Sequence, residues 1–198
     1  MELSGPVWTE RFPTSTRVED LEPQFRSRVR RFLDALSDAG AEITITATLR
    51  PRERAYLMHY AWAIVHHRIA PGQVPSFEPI VPTAPAVSIA WVHRDKRGRP
   101  SQALSYAAAL EMVHGYDIAK LRIAPSLSSL HIEGKAVDMV IAWDGELVMK
   151  DASGKELKIR TSPRSGINGQ LMKVGASYGV VHLHPAHKDP PHWSVNGH

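Results

Sequence analysis

The sequence predicts an α+β fold, a small antiparallel sheet with helices packed on one side. Three observations carry this expectation. Apolar residues recur at helical spacing over residues 19–39, and three further segments read as helices. Alternating runs rich in β-branched residues lie between them. Glycines and prolines mark the joins.

Taken in order, residues 1–18 match no regular pattern and read as an N-terminal arm. Residues 19–39 carry Leu21, Phe25, Val29, Phe32, Leu33 and Leu36 at helical spacing, with Gly40 as the stop. Arg26, Arg28, Arg30 and Arg31 fall mostly on the opposite, solvated face. Residues 42–49 alternate and are rich in Ile and Thr, which predicts a strand. Pro51 opens a helix over 51–69 at the favoured first position. The stretch 70–100 holds six of the fifteen prolines and the charged run from His93 to Arg99, and reads as a solvated Pro-rich insertion. A third helix fits 101–114. Strands are expected at 128–133, 136–143 and 156–161, then a helix at 165–177 with Gly179 as its stop, then a strand at 180–184.

At 198 residues, a single domain spanning 1–198 is the natural expectation. The hydrophobic content of 43% and charged content of 22% are those of an ordinary globular chain. With no cysteine, disulfides and thiolate ligands are excluded, so any metal must be held by His and carboxylate. The net charge of +4 favours polyanionic surroundings only weakly. No basic–aromatic interleaving or recognition motif supports a nucleic-acid binder. No stretch reaches the length of a membrane span. The N-terminal residues, Met1 to Pro6, lack the charge and apolar core of a signal peptide, so synthesis in the cytoplasm is expected.

The chemistry concentrates in two segments. Ser129-Leu130-His131-Ile132-Glu133-Gly134-Lys135-Ala136-Val137-Asp138 holds a histidine and a carboxylate, and Asp189-Pro190-Pro191-His192-Trp193 holds another such pair. Two imidazoles and a carboxylate suffice to hold a catalytic Zn²⁺ while leaving a position for water. A spare carboxylate is what such a water needs as proton acceptor. His131 and Asp138 are seven apart, which on one strand would send them to opposite faces. Gly134 between them permits a turn that re-aims both to one side. The two prolines favour polyproline II, which would set Asp189 and His192 on one side about 9 Å apart. His182 and His184 alternate within a predicted strand and compete with His192 as a ligand.

At these residues the chain resembles the zinc D-alanyl-D-alanine carboxypeptidase, dipeptidase and L-alanyl-D-glutamate endopeptidase family, which includes phage endolysins. The family pattern S-x-H-x-x-G-x-A-x-D is matched by Ser129, His131, Gly134, Ala136 and Asp138, and a second element by Asp189, His192 and Trp193. The resemblance covers about residues 120–195 and reaches back to the strand that precedes Arg50. It implies a Hedgehog/D-Ala-D-Ala peptidase-like fold. It also implies that His131, Asp138 and His192 ligate zinc, that Asp189 is the catalytic base, and that Arg50 polarises the scissile carbonyl. Many members carry Glu where Asp189 stands, and an aromatic where this chain has Leu49. Ser129 is implied to help hold substrate, and Trp193 is read as a wall of the cleft.

The expected substrate is therefore bacterial peptidoglycan, cut in its peptide stem, by a chain expected to act as a monomer. Endopeptidase and carboxypeptidase activities share these residues. Without a leader, delivery to the wall would need a phage holin or a contractile secretion apparatus. A non-catalytic wall-binding module of the same fold is the alternative, since the Hedgehog signalling domains use the fold for binding. Retention of all four residues argues against it.

Overall fold

The computed structural model describes residues 1–80 and 87–198. The part of the Pro-rich stretch at 81–86 lies outside the described residues. The described residues form an α+β fold with four α-helices and small, mainly antiparallel sheets. The single domain expected over 1–198 is organised as two compact units. Among the described residues, no helix is long and apolar enough to cross a membrane.

The first unit comprises Met1–Pro13 and Pro51–Ser128. Strand β1 (Glu2–Leu3) pairs in parallel with a later strand, β3 (Ile89–Ala90). Helices α2 (Arg52–Val65) and α3 (Gln102–Gly115) pack on each other. Trp8, Leu57, Trp62, Met112 and Val113 share their buried core. The expected arm is therefore packed in its first half, since Trp8 is only 2% exposed. Helix α2 is shorter than the expected 51–69, and Pro51 stands just before it as the cap rather than as its first residue.

The second unit comprises Thr14–Arg50 and Ser129–His198. Helix α1 (Pro23–Asp38) starts where the Glu22 carboxylate accepts the Phe25 N–H. Phe25, Val29, Phe32 and Leu36 form its buried stripe. The central sheet has the order β2-β4-β8-β7, all antiparallel, built from β2 (Glu42–Ala47), β4 (Ala136–Ala142), β8 (His192–Ser194) and β7 (Val181–His182). Strands β5 (Leu147–Lys150) and β6 (Glu156–Ile159) form a separate hairpin. Helix α4 (Gly169–Ser177) completes the unit, capped by the fully buried Asn168.

Strand alternation divides the sheet into two faces. Val137, Met139 and Ile141 of β4 join α1, α4 and Trp193 in one buried core. Asp138 and Val140 point the other way. The helices of this unit thus cover one face, and Thr44, Thr46 and Val140 on the other are exposed. Gly175 lets α4 come close, because a Cβ there would meet the Trp193 ring at 2.5 Å.

Several element boundaries differ from the expectation. The segment 128–133 is not a strand but a 3₁₀ turn at Leu130–Glu133. Ser129 accepts the His131 N–H, and the Gly134 N–H returns to the His131 carbonyl, so local bonds satisfy the backbone without a partner strand. The last helix starts at Gly169 rather than 165, where Asn168 supplies the cap. The strand expected at 180–184 spans only Val181–His182. The short strands β5 and β8 were not expected. Each is too brief to show alternation clearly, and β8 follows two prolines.

Candidate metal centre

Three elements of the second unit converge on one point. Asp138 and His192 are directly opposed across the β4–β8 ladder, so their side chains stand side by side on the open face. A bulge in β2 between Ile45 and Ala47 precedes Thr48, whose carbonyl lies 2.7 Å from His131 Nδ1. His131 reaches the same point from the 3₁₀ turn. That turn closes on Gly134 at φ +66°, where a Cβ would sit 2.8 Å from the Glu22 nitrogen. The turn is what defeats the odd spacing of His131 and Asp138.

The ligand atoms form a small triangle. His131 Nε2 lies 3.2 Å from Asp138 Oδ1 and 3.2 Å from His192 Nδ1, and His192 Nδ1 lies 3.0 Å from Asp138 Oδ1. Ligands held about 2.0–2.1 Å from a tetrahedral zinc lie about 3.3 Å from one another. The triangle has that size. His131 is 3% exposed and His192 8%, so both imidazoles are buried.

Tautomers follow from the outer contacts. A carbonyl only accepts, so Nδ1 of His131 donates to Thr48. Nε2 of His192 likewise donates to the His198 carbonyl at 3.2 Å. With neutral rings, the inward nitrogens then present lone pairs to an ionised carboxylate. Three acceptors at this separation repel unless a cation sits among them. Outer-shell carbonyls of this kind are how proteins orient metal-binding imidazoles. The group His131, Asp138 and His192 can therefore hold a metal ion.

Without a bound cation, a proton shared with Asp138 takes its place. Burial opposes ionisation of Asp138, yet hydrogen bonds and charge from His131 and His192 outweigh it and hold its carboxyl far below the usual range. Burial opposes the charged form of His192 too, but the bond to Asp138 and its negative charge raise the imidazole above its ordinary value. For Asp189 the enclosing atoms, then the Asp138 charge, push the carboxyl up, while His192, His131 and His182 pull it down. Asp189 thus senses the site without belonging to the ligand group.

The Asp189–His192 segment is a tight turn and not the expected polyproline II. The His192 N–H bonds the Asp189 carbonyl at 3.1 Å, which folds the two prolines into the bend. Arg50 lies just past β2, half-buried, and its backbone N–H donates to the His131 carbonyl at 3.0 Å. Ser129 caps the His131 turn.

Two readings are corrected. Trp193 is 0% exposed and cannot wall a cleft, because alternation turns it from His192 into the core, against Phe32 at 5.4 Å and His182 at 4.7 Å. His182 and His184 do not compete for metal. His182 is buried with its ring nitrogens 2.8 Å from the Leu183 and Pro190 carbonyls, and His184 lies beyond the strand, exposed. The Thr48 and His198 carbonyls were not foreseen, since a backbone acceptor leaves no mark on residue type. A scan of protein-family models finds no match to this chain. A search of curated proteins finds none either.

Proposed function

We propose that the chain is a zinc-dependent amide hydrolase. Its substrate in this reading is the peptide stem of bacterial peptidoglycan, as in the D-alanyl-D-alanine carboxypeptidase and L-alanyl-D-glutamate endopeptidase class, with a Hedgehog/D-Ala-D-Ala peptidase-like fold for the second unit. The observation that carries the reading is the triangle of inward lone pairs on His131, Asp138 and His192, fixed by carbonyls behind both rings. The residue order Ser129, His131, Gly134, Ala136, Asp138 supports the substrate class.

When bound there, Zn²⁺ supplies Lewis acidity and brings the pKa of a water toward neutrality. The Asp189 carboxylate takes the proton of the attacking water and returns it to the leaving amine. Arg50 balances negative charge that develops on the carbonyl oxygen. Ser129 holds the His131 turn and borders the substrate. The enzyme in this reading acts on the bacterial cell wall.

The test is incubation of the zinc-loaded protein with purified peptidoglycan and mass analysis of the products. New amino termini or released alanine are expected, lost on chelation and in His131→Ala. Zinc uptake without any cleavage would favour a wall-binding module of the same fold.

A further inference from the structure

Helix α2 turns Arg52, Tyr56 and Tyr60 to one side, because residues four apart share a helix face. A cavity of about 330 Å³ opens along this row in the first unit. Its other wall is the irregular segment 75–78, and Leu127 adds an apolar edge.

The aromatic lining is fixed before any ligand arrives. The buried Tyr56 hydroxyl donates to the Pro75 carbonyl at 2.8 Å and accepts the Trp91 indole N–H at 3.3 Å. Its ring packs on Tyr60 at 4.9 Å and edge-on to Phe77 at 5.4 Å. Tyr60 also meets the edge of His59 at 4.8 Å, and His59 Nδ1 donates to the Pro125 carbonyl at 2.8 Å. Tyr60 and Phe77 are only half-buried, so both keep ring surface for a ligand.

The polar lining is of mixed kind. Arg52 only donates, Glu78 only accepts, and the Tyr60 and Ser76 hydroxyls do both. None of these four side chains has a hydrogen-bond or ion-pair partner among the described residues. One cation and one anion leave the lining without net charge. A simple cation would meet Arg52 as a like charge, and a simple anion would meet Glu78. The matching ligand is neutral, has an apolar face for the rings, and carries donors and acceptors around its rim. A sugar ring has these features, a patch of C–H groups edged with hydroxyls.

We infer that this cavity binds a neutral saccharide residue, its C–H face on Tyr60 and Phe77 and its hydroxyls on Arg52, Ser76 and Glu78. The volume lies near the lower end of small-molecule sites, which suits one sugar residue rather than a chain of them. None of these residues belongs to the ligand triangle, and neither Asp189 nor Arg50 is among them. The inference therefore stands apart from the reading of the metal centre.

The experiment titrates the whole protein, with chelator present to keep metal out, and follows binding by calorimetry and ligand NMR. The neutral probes are glucose, galactose, mannose and N-acetylglucosamine. Glucosamine and glucuronic acid supply a cation and an anion of the same shape, and alanine supplies a zwitterion without a sugar ring. At least one neutral sugar should bind about 10-fold more tightly than either charged sugar. Tyr60→Ala should weaken that sugar about 10-fold by removing the stacking face. Arg52→Gln and Glu78→Gln remove charges that make no bond within the protein, so the fold does not depend on them. Arg52→Gln should raise the affinity for glucosamine relative to the neutral sugar, and Glu78→Gln should do so for glucuronic acid. Absence of binding by every neutral sugar in the wild type would overturn the inference. So would tighter binding of alanine, which would assign the cavity to amino acids, or a ranking that neither charge variant moves. Peptidoglycan cleavage enters none of these outcomes, so failure of the proposed reaction and failure of the sugar site are read separately.

Discussion

His192 has one ring nitrogen turned to the His198 carbonyl and the other to Asp138, so a metal must compete with a proton for the inward side. That sets the sign of the pH dependence. Despite burial, Asp138 raises the His192 pKa above 6.5. Zinc needs the neutral ring, so its affinity should climb with pH through that raised value and then level off. Asp138 stays ionised across this range, because its own carboxyl titrates far below it. In the metal-free protein the same pair works in the opposite sense. Its stabilisation is present while His192 is charged, is lost as pH rises through the raised His192 pKa, and is lost again in strong acid as Asp138 protonates. Competition titrations with a zinc chelator between pH 5 and 8 would check this, and a pH-independent affinity would remove the pair from the site. Asp189 lies outside the ligand triangle, so Asp189→Ala should keep zinc while lowering hydrolysis by about 10²–10⁴. Metal analysis beside kinetics distinguishes this from a ligand role, in which zinc would be lost too. Glu133 is the alternative base if the loss is slight, although its carboxylate is engaged by Lys135 at 2.8 Å.

At the scale of elements, the ligands are placed by two close approaches that each require glycine. At Gly134 the backbone is left-handed, which costs an L-residue about 1–2 kcal/mol, and a Cβ would press on the Glu22 backbone. Gly134→Ala should therefore destabilise the protein and move His131, weakening zinc binding as well. At Gly175 two effects oppose. Alanine in a helix is favoured over glycine by about 1 kcal/mol. Overpacking a filled core costs about 1–3 kcal/mol, and here the new methyl would meet Trp193 at 2.5 Å and the Val180 carbonyl at 2.9 Å. Overpacking should win, so Gly175→Ala lowers the melting temperature, and any disturbance of Trp193 passes to its neighbour His192. Denaturation of both variants with and without zinc would separate a packing defect from a ligand defect. A Gly175→Ala protein as stable as wild type would mean that α4 shifts freely, against the packing described.

The same contrast explains what could be read from residue types. Helix α1 was legible because its stripe of Phe25, Val29, Phe32 and Leu36 repeats over several turns. His131, Asp138 and His192 were legible because metal binding demands particular side chains, whatever the backbone does. Their geometry was not, since it depends on bonds between main-chain groups. Thr48 and His198 enter through carbonyls, the β2 bulge through one extra residue, and the Asp189 turn through a single N–H that overrides the polyproline preference. Sequence proximity to His192 does not bring Trp193 to the cleft, because strand alternation sends neighbours to opposite faces.

For the whole molecule, the consequence is that zinc would tie together parts of the second unit that are remote in sequence. His131 and His192 are 61 residues apart, and the carbonyl behind His131 belongs to a segment 83 residues before it. The unfolded chain cannot present this geometry, so zinc binds the folded state and stabilises it by mass action. At free zinc about 1,000-fold above the dissociation constant, the gain is about 4 kcal/mol. For a chain of this size that corresponds to a rise in melting temperature of roughly 8–16 °C. Hydrogen exchange should slow in β4 and β8, whose ladder carries Asp138 and His192. His192→Ala removes one ligand and should abolish the zinc-dependent rise while leaving Trp193 and the core beneath it in place. Differential scanning calorimetry with zinc and with chelator, on wild type and variant, checks the expectation. A full zinc-dependent rise in His192→Ala would place the metal elsewhere and undo the assignment of the ligand triangle.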